Sequence, residues 1–399
     1  MGYLPTCVAK AASLALLAAA IIFRLFCQAA EAQTAFYVPA EQELAGEPGT
    51  VIRSEPLRGA PKGAAAYRIL YRSRGLHDEP IAVSGVVVVP AGPAPEAGRP
   101  IVAWAHPTTG VVPRCAPSLA HFVFQQMQGL RDMVDRGYVV TATDYPGLGT
   151  AGPHPYLVGV SEARAVLDSV RAARDMPGTG GGRRFAVWGH SQGGQASLYS
   201  GILGNSYAPD LDLVGIAAAA PATELAVLMT DDLNSNGGRN LTAMTLWSWQ
   251  RVFGAPMEHV VAKAAIPVVN QLAEECIESI YDIVIRQRVA APLANTFLSV
   301  PNPLDVEPWR SLAAGNTPGV PPSNVPVFLS QGEDDHLVQA NVTKDYMGKL
   351  CDAGSHVRLV MLPGVNHGFI GRDSATGAVD WIGDRFADAP APSDCNRPR

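Results

Sequence analysis

The sequence predicts an α/β protein: a doubly wound, mostly parallel central sheet flanked by helices, with a large helical insertion. Three observations predict it. Short β-rich runs alternate with helical stretches along most of the chain. The later β runs are almost continuously apolar, as strands covered on both faces must be. Finally, about a hundred residues separate Pro221 from Val325, where a single crossover helix would need about a dozen.

In chain order, residues 1–32 stand apart from the fold. Lys10 supplies a positive flank, and residues 11–23 form an apolar run too short to span a bilayer comfortably. Ala30-Glu31-Ala32 is a small-x-small cleavage site, so the segment reads as a secretory signal cut after Ala32, which leaves no transmembrane anchor. Bulky Phe26 before Cys27 argues against a lipid-modified cysteine. The protein is therefore expected to be secreted or periplasmic. Residues 33–221 form the first part of the core, 222–324 the insertion and 325–399 the second part of the core.

Within the core, 67–72 and 81–89 read as an antiparallel pair joined by the polar turn RGLHDEP. Six further β runs follow at 100–107, 138–145, 183–190, 213–221, 325–332 and 356–362. Helical patterns cover 125–136, 161–174 and 195–203. Inside the insertion, 241–253 reads as one helix and 271–288 as another. The second places Leu272, Cys276, Ile280 and Ile283 on one broad apolar face, suited to burial against other helices or to presenting an apolar surface.

Composition narrows the function classes. A net charge of −6, with 17% charged residues, leaves no basic surface for nucleic acid. After signal cleavage the cysteines are Cys115, Cys276, Cys351 and Cys395, an even set that in an exported chain points to two disulfides, connectivity open. Neither CxxC nor HExxH spacing occurs and the histidines are scattered, so neither a metal nor another cofactor is expected.

The chemistry concentrates at GHSQGGQ, residues 189–195. FAVW enters it as a strand and QASLYSGIL leaves as a helix, which puts Ser191 on a sharp strand-to-helix turn. Gly189 and Gly193 remove the Cβ clashes that such a strained backbone would create. The turn exposes the serine hydroxyl beside a helix start and aims the Gln192 N–H at a developing oxyanion. A lone serine is a poor nucleophile, so a base and an orienting acid should follow later strands at their carboxyl ends. Asp335 follows VPVFLSQG, and His367 follows HVRLVML, which gives the order serine, acid, histidine. Asp334 and Glu333 are weaker candidates for the acid. His336 sits beside it, His356 precedes its strand, and His190 is expected to point away from the serine. A second oxyanion donor is expected from AHPTTG, residues 105–110, through the Thr108 N–H.

These residues resemble the secretory lipase family of α/β-hydrolases, which includes the fungal lipase A type and bacterial relatives. The resemblance runs through PGTVIRSEPL, AYRILYRS, VAWAHPTTG with RCAPS, ATDYPGLGTAGPHPYLVG, VWGHSQGGQAS and YAPDLDLVGIAAAAP, across residues 40–385. It implies an α/β-hydrolase fold with a large helical cap. It also implies hydrolysis of carboxylic esters, often acylglycerols, by Ser191, Asp335 and His367, with Gln192 and Thr108 as oxyanion donors. With the resemblance goes a pairing of Cys115 with Cys276, which leaves Cys351 for Cys395. One departure is Pro107, where the family often has glycine; proline has no N–H to donate.

The substrate is thus expected to be a small-molecule or lipid ester, met with or without transient contact to a lipid interface. His106, Thr109, Asp144, Tyr145, His154, Trp247 and Trp249 are candidate substrate contacts, with Leu246 and Phe253 beside the tryptophans. The same residues could serve an acyltransferase or a peptidase, because fold and nucleophile do not choose the leaving group. A catalytically silent binding or surface protein on the same scaffold is the remaining class.

Overall fold

The computed structural model describes residues 35–396. The signal segment and its cleavage site lie outside the described residues. Nine strands form one sheet: β1 (Val51–Pro56), β2 (Ala64–Arg74), β3 (Pro80–Pro90), β4 (Arg99–Ala105), β5 (Val139–Thr143), β6 (Gly181–His190), β7 (Asp212–Ala219), β8 (Val327–Gly332) and β9 (Val357–Leu362). Their spatial order is β1-β2-β3-β5-β4-β6-β7-β8-β9. The first three run antiparallel to their neighbours, and β5 through β9 are all parallel.

The β5 segment VVTAT is buried at every position, as expected of a strand with helices on both faces. On one face lie α2 (Gly159–Asp175) and α3 (Gln192–Tyr207), whose apolar residues join those of β2, β4 and β6. On the other, α10 (His367–Phe386) packs across β6, β7 and β8 beside α1 (Leu130–Asp135). The α9 helix (Ala340–Asp352) closes the far edge against β8 and β9.

The chain leaves the sheet after β7 and returns at β8. Between them run α4 (Leu225–Asp232), α5 (Asn236–Phe253), α6 (Ile266–Glu274), α7 (Ile280–Ala290) and α8 (Trp309–Asn316). Both disulfides form as the resemblance implies, Cys115–Cys276 and Cys351–Cys395. The first ties the loop after β4 to the insertion, and the Ile277 N–H adds a 2.7 Å hydrogen bond to the Thr109 carbonyl.

Three sequence expectations need correction. The edge strand β1 was not anticipated, because VIRSEP has no clean alternation of apolar and polar residues. The helix expected over 125–136 breaks at Gly129, whose φ of +79° suits glycine and whose added Cβ would crowd Val379. The helix expected over 271–288 is two helices. Cys276 is drawn aside by its disulfide, and Ser279 starts α7 afresh in a capping box with Asp282. Leu272 and Ile283 therefore do not share a face: Leu272 is buried and Ile283 is exposed.

Candidate active site

Adjacent strands β4 and β6 deliver the two loops that face each other at the carboxyl edge of the sheet. Ser191 stands between β6 and α3 with φ 59° and ψ −117°, a positive-φ conformation that costs energy for a residue with a Cβ. Hydrogen bonds hold it there: its N–H donates to the Ala219 carbonyl at 2.9 Å, and its carbonyl accepts from Gln195 N–H at 3.1 Å. The glycines are required by close approach rather than by dihedral. A Cβ on Gly189 would stand 2.1 Å from the Gly193 carbonyl oxygen, and one on Gly193 would stand 1.9 Å from that of Ala105.

His367 is the first residue of α10, and Asp335 follows β8, so both reach the same edge. The His367 Nε2 lies 2.8 Å from Ser191 Oγ, and its Nδ1 lies 2.7 Å from Asp335 Oδ2. A carboxylate can only accept, so Nδ1 carries the proton and Nε2 is free to accept from the serine hydroxyl. Asp335 Oδ1 accepts two backbone N–H bonds at 2.9 Å, from Leu337 and Val338. Burial alone would raise its carboxyl, but His367 and those two amides outweigh it and hold the pKa below the ordinary range. The rival acids Asp334 and Glu333, and His336 and His356, are all exposed. His190 does not point clear of the site: its ring packs beneath that of His367, centroids 5.0 Å apart, because the turn folds β6's last residue under α10. Burial, and then His367 itself, lower its pKa to about 3, so it stays neutral.

Gln192 opens α3, where the first N–H groups have no partner within the helix. Its side chain is turned inward and held, donating to Glu162 Oε1 at 2.8 Å and to His154 Nε2 at 2.9 Å. His154 in turn donates from Nδ1 to the Pro146 carbonyl at 2.9 Å. Burial pushes the Glu162 carboxyl up to about 8, against the Gln192 and Leu157 hydrogen bonds that pull it down. Sequence reasoning missed this glutamate, since an acid in the first turn of a helix usually marks a solvated end. Thr108 Oγ1 lies 3.0 Å from the Tyr156 hydroxyl across the mouth of the β4 loop.

A cavity of about 40 Å³ lies beside Ser191 and His367. None of the expected substrate contacts lines it, and their burial explains why. His106 bonds the Pro107 and Asp144 carbonyls and packs on Tyr145; burial lowers its pKa to about 4. Asp144 accepts from Ser84 and from both the amide and the hydroxyl of Ser118, so it holds the loop. Tyr145 and His154 stack within the same buried group. Trp249 donates to the Tyr156 carbonyl and stacks on Trp309, Trp247 packs under Arg251, and Thr109 is buried with its carbonyl accepting from the Ile277 N–H. The actual walls come from Tyr156 and Leu157, and from Leu225, Leu228, Met229 and Asp232 of α4. Leu225, Leu228 and Met229 recur at helical spacing, an apolar stripe that was readable in the sequence. Among the described residues no cluster of His, Cys, Asp and Glu could hold a metal ion, and no helix is long and apolar enough to cross a membrane.

This sheet, with its strand-turn-helix serine edge and inserted helices, is that of an α/β-hydrolase. The chain belongs to the secretory lipase family, whose model matches residues 119–394. A probable inactive lipase of Mycobacterium tuberculosis is 27% identical over 89% of this chain and 82% of its own. A secreted triacylglycerol lipase of Malassezia globosa is 25% identical over 89% of this chain and 79% of its own. The fold is shared with the solved lipase A of Candida antarctica, at TM-score 0.76 and 18% identity over 91% of this chain and 88% of that one. Family and relatives support hydrolysis of ester bonds, and the disulfides and secreted relatives fit an extracellular protein.

Proposed function

We propose that this protein cleaves carboxylic esters by two-step acyl transfer through Ser191, His367 and Asp335. The observation that carries the reading is the continuous hydrogen-bond chain from Ser191 Oγ through His367 to Asp335. In the first step the serine hydroxyl gives its proton to His367 Nε2 as Oγ attacks the ester carbonyl. Asp335 stabilises the imidazolium, and the N–H groups of Gln192 and Thr108 receive the oxyanion, each worth about 3 kcal/mol. Collapse expels the alcohol, which takes the proton from His367. A water molecule then gives a proton to His367 and attacks the acyl-enzyme, releasing the acid and restoring Ser191.

Apolar walls from α4 suit an acyl chain. The exposed side chains of Tyr281, Ile283, Val284 and Ile285 on α7 offer a surface for transient contact with a lipid interface. Acylglycerols are therefore included among the substrates, and export by a signal cut after Ala32 brings the enzyme to them. Amino-terminal sequencing of the exported protein should begin at Gln33.

The decisive experiment pairs a fluorophosphonate probe with an ester series from acetyl to long-chain acyl groups, below and above their solubility limits. Labelling of Ser191 together with ester turnover is expected. A protein that takes no label and hydrolyses nothing would instead be a silent binding protein on this scaffold.

A further inference from the structure

One wall of the Ser191 cavity carries polar groups that the proposed chemistry does not use. Asp232, the last residue of α4, is 8% exposed, and its Oδ1 is buried without a hydrogen-bond partner in the protein. The charged groups that act on it, Asp231 and Asp335, are both negative. Thr242, on the next helix, is 1% exposed and its Oγ1 is likewise without a partner. One turn further on, Thr245 makes the usual bond back to the carbonyl four residues earlier, Leu241, at 3.0 Å; Thr242 does not. Both Asp232 and Thr242 line the cavity that holds Ser191 and His367, among Leu225, Leu228, Met229 and Leu241.

An apolar wall gains nothing from a carboxyl that packs where leucine would fit, and a buried carboxyl without a partner costs stability. Burial above all, and then Asp231 and Asp335, lift its pKa to about 7. The protein supplies neither atom with a partner, so only a group that enters the cavity can do so. That group must donate to the ionised carboxyl or accept from the protonated one, and should accept from the threonine. A hydroxyl does both and is cheap to desolvate. An ammonium would need three acceptors, and enclosing it would strip a second charge of water.

We propose that Asp232 and Thr242 form a polar subsite for a hydroxyl on the part of the ester that enters this cavity, so that hydroxylated esters are preferred to plain alkyl ones. The inference rests on the ester-hydrolase reading and specifies its substrate class. A bare methylene chain would leave both groups unpaired, which gives discrimination of about tenfold or more in kcat/KM.

The test compares butanoate, hexanoate and octanoate p-nitrophenyl esters with and without a terminal hydroxyl. A second arm compares butanoate esters of simple alcohols with those of the matching diols, to separate acyl from alcohol recognition. In wild type, at least one hydroxylated ester should exceed its parent by about tenfold or more in kcat/KM. Asp232→Leu and Thr242→Val should shrink that ratio, and Asp232→Leu should raise the rate on the plain ester. Asp232→Asn, which keeps the shape and an acceptor oxygen, should retain part of the preference; circular dichroism reports the folding of each variant.

If no hydroxylated ester exceeds its parent in either arm, or Asp232→Leu leaves the ratio unchanged, the subsite is overturned. An ester with a terminal ammonium that outruns its hydroxyl analogue overturns the hydroxyl assignment. Fluorophosphonate labelling separates the two levels. A labelled enzyme without hydroxyl preference loses only the subsite, whereas one that takes no label and cleaves no ester loses both.

Discussion

Asp335, on the rim of the sheet, and Asp232, on the underside of the insertion, are both buried, at 4% and 8% exposure. Their carboxyls nevertheless shift in opposite directions. Asp335 accepts from His367 and two backbone amides and is held below the ordinary range; Asp232 has no hydrogen bond to Oδ1 and is lifted to about 7. Burial is common to both and cannot explain the difference; partners can. A carboxylate whose acceptors are filled by the protein is a fixed part of the structure. One whose acceptors are left to the cavity is equipped to meet something that comes and goes.

That contrast can be broken at several points. Ser191→Ala should cost at least about 10⁴-fold in turnover and leave thermal unfolding in place, since the rim keeps its other hydrogen bonds. Appreciable residual activity, measured with an active-site titrant to exclude contamination, would remove the serine from its role. Asp335→Asn should cost about 10³- to 10⁴-fold, because an amide can hold His367 in the wrong tautomer. Loss of only a few-fold would mean that the rim does not depend on the charge it so carefully solvates.

The remaining effects are on stability. Removing Cys115–Cys276 by a double alanine substitution should lower unfolding free energy by about 2–5 kcal/mol, read from urea midpoints without reductant. The smallest effect bears directly on the two aspartates. Asp232 has a folded pKa raised from 3.8 to about 7, so the native state holds a proton that the unfolded chain has released between those values. Stability should therefore fall as pH rises through that window. Asp232→Asn should flatten that fall by on the order of 2 kcal/mol relative to wild type. For Asp335, with its pKa depressed, the sign reverses: its contribution is present above the ordinary carboxylate range and is lost on acidification. Identical pH profiles for the two asparagine variants would erase the distinction.

Ser191, Asp335 and His367 were legible because each sits within a few residues of a strand's end, where local sequence dictates geometry. Gly189 and Gly193 were legible for the same reason. The disulfide partners were not: four cysteines permit three pairings, and only the resemblance to a family singled out one. The polar residues around PTTG and DYPG were misjudged. His106, Asp144, Tyr145 and His154 looked like a binding surface, but long-range packing buries them as supports for one another. Asp232 and Glu162 were invisible for the converse reason, since an acid in a helical pattern reads as solvent-facing until its neighbours are known. The break before α7 depends on a covalent bond to a residue 161 positions away, beyond any local pattern.

The bond between Cys115 and Cys276 also limits how the chamber above Ser191 can be entered. One margin of the helical insertion is fastened to the very loop that carries Thr108, by sulfur and by the Ile277 amide. A roof nailed along one eave can tilt, but it cannot be lifted away. Any widening must pivot about that anchorage and be greatest on the far side, while the loop bearing Thr108 keeps its place beneath the fixed edge.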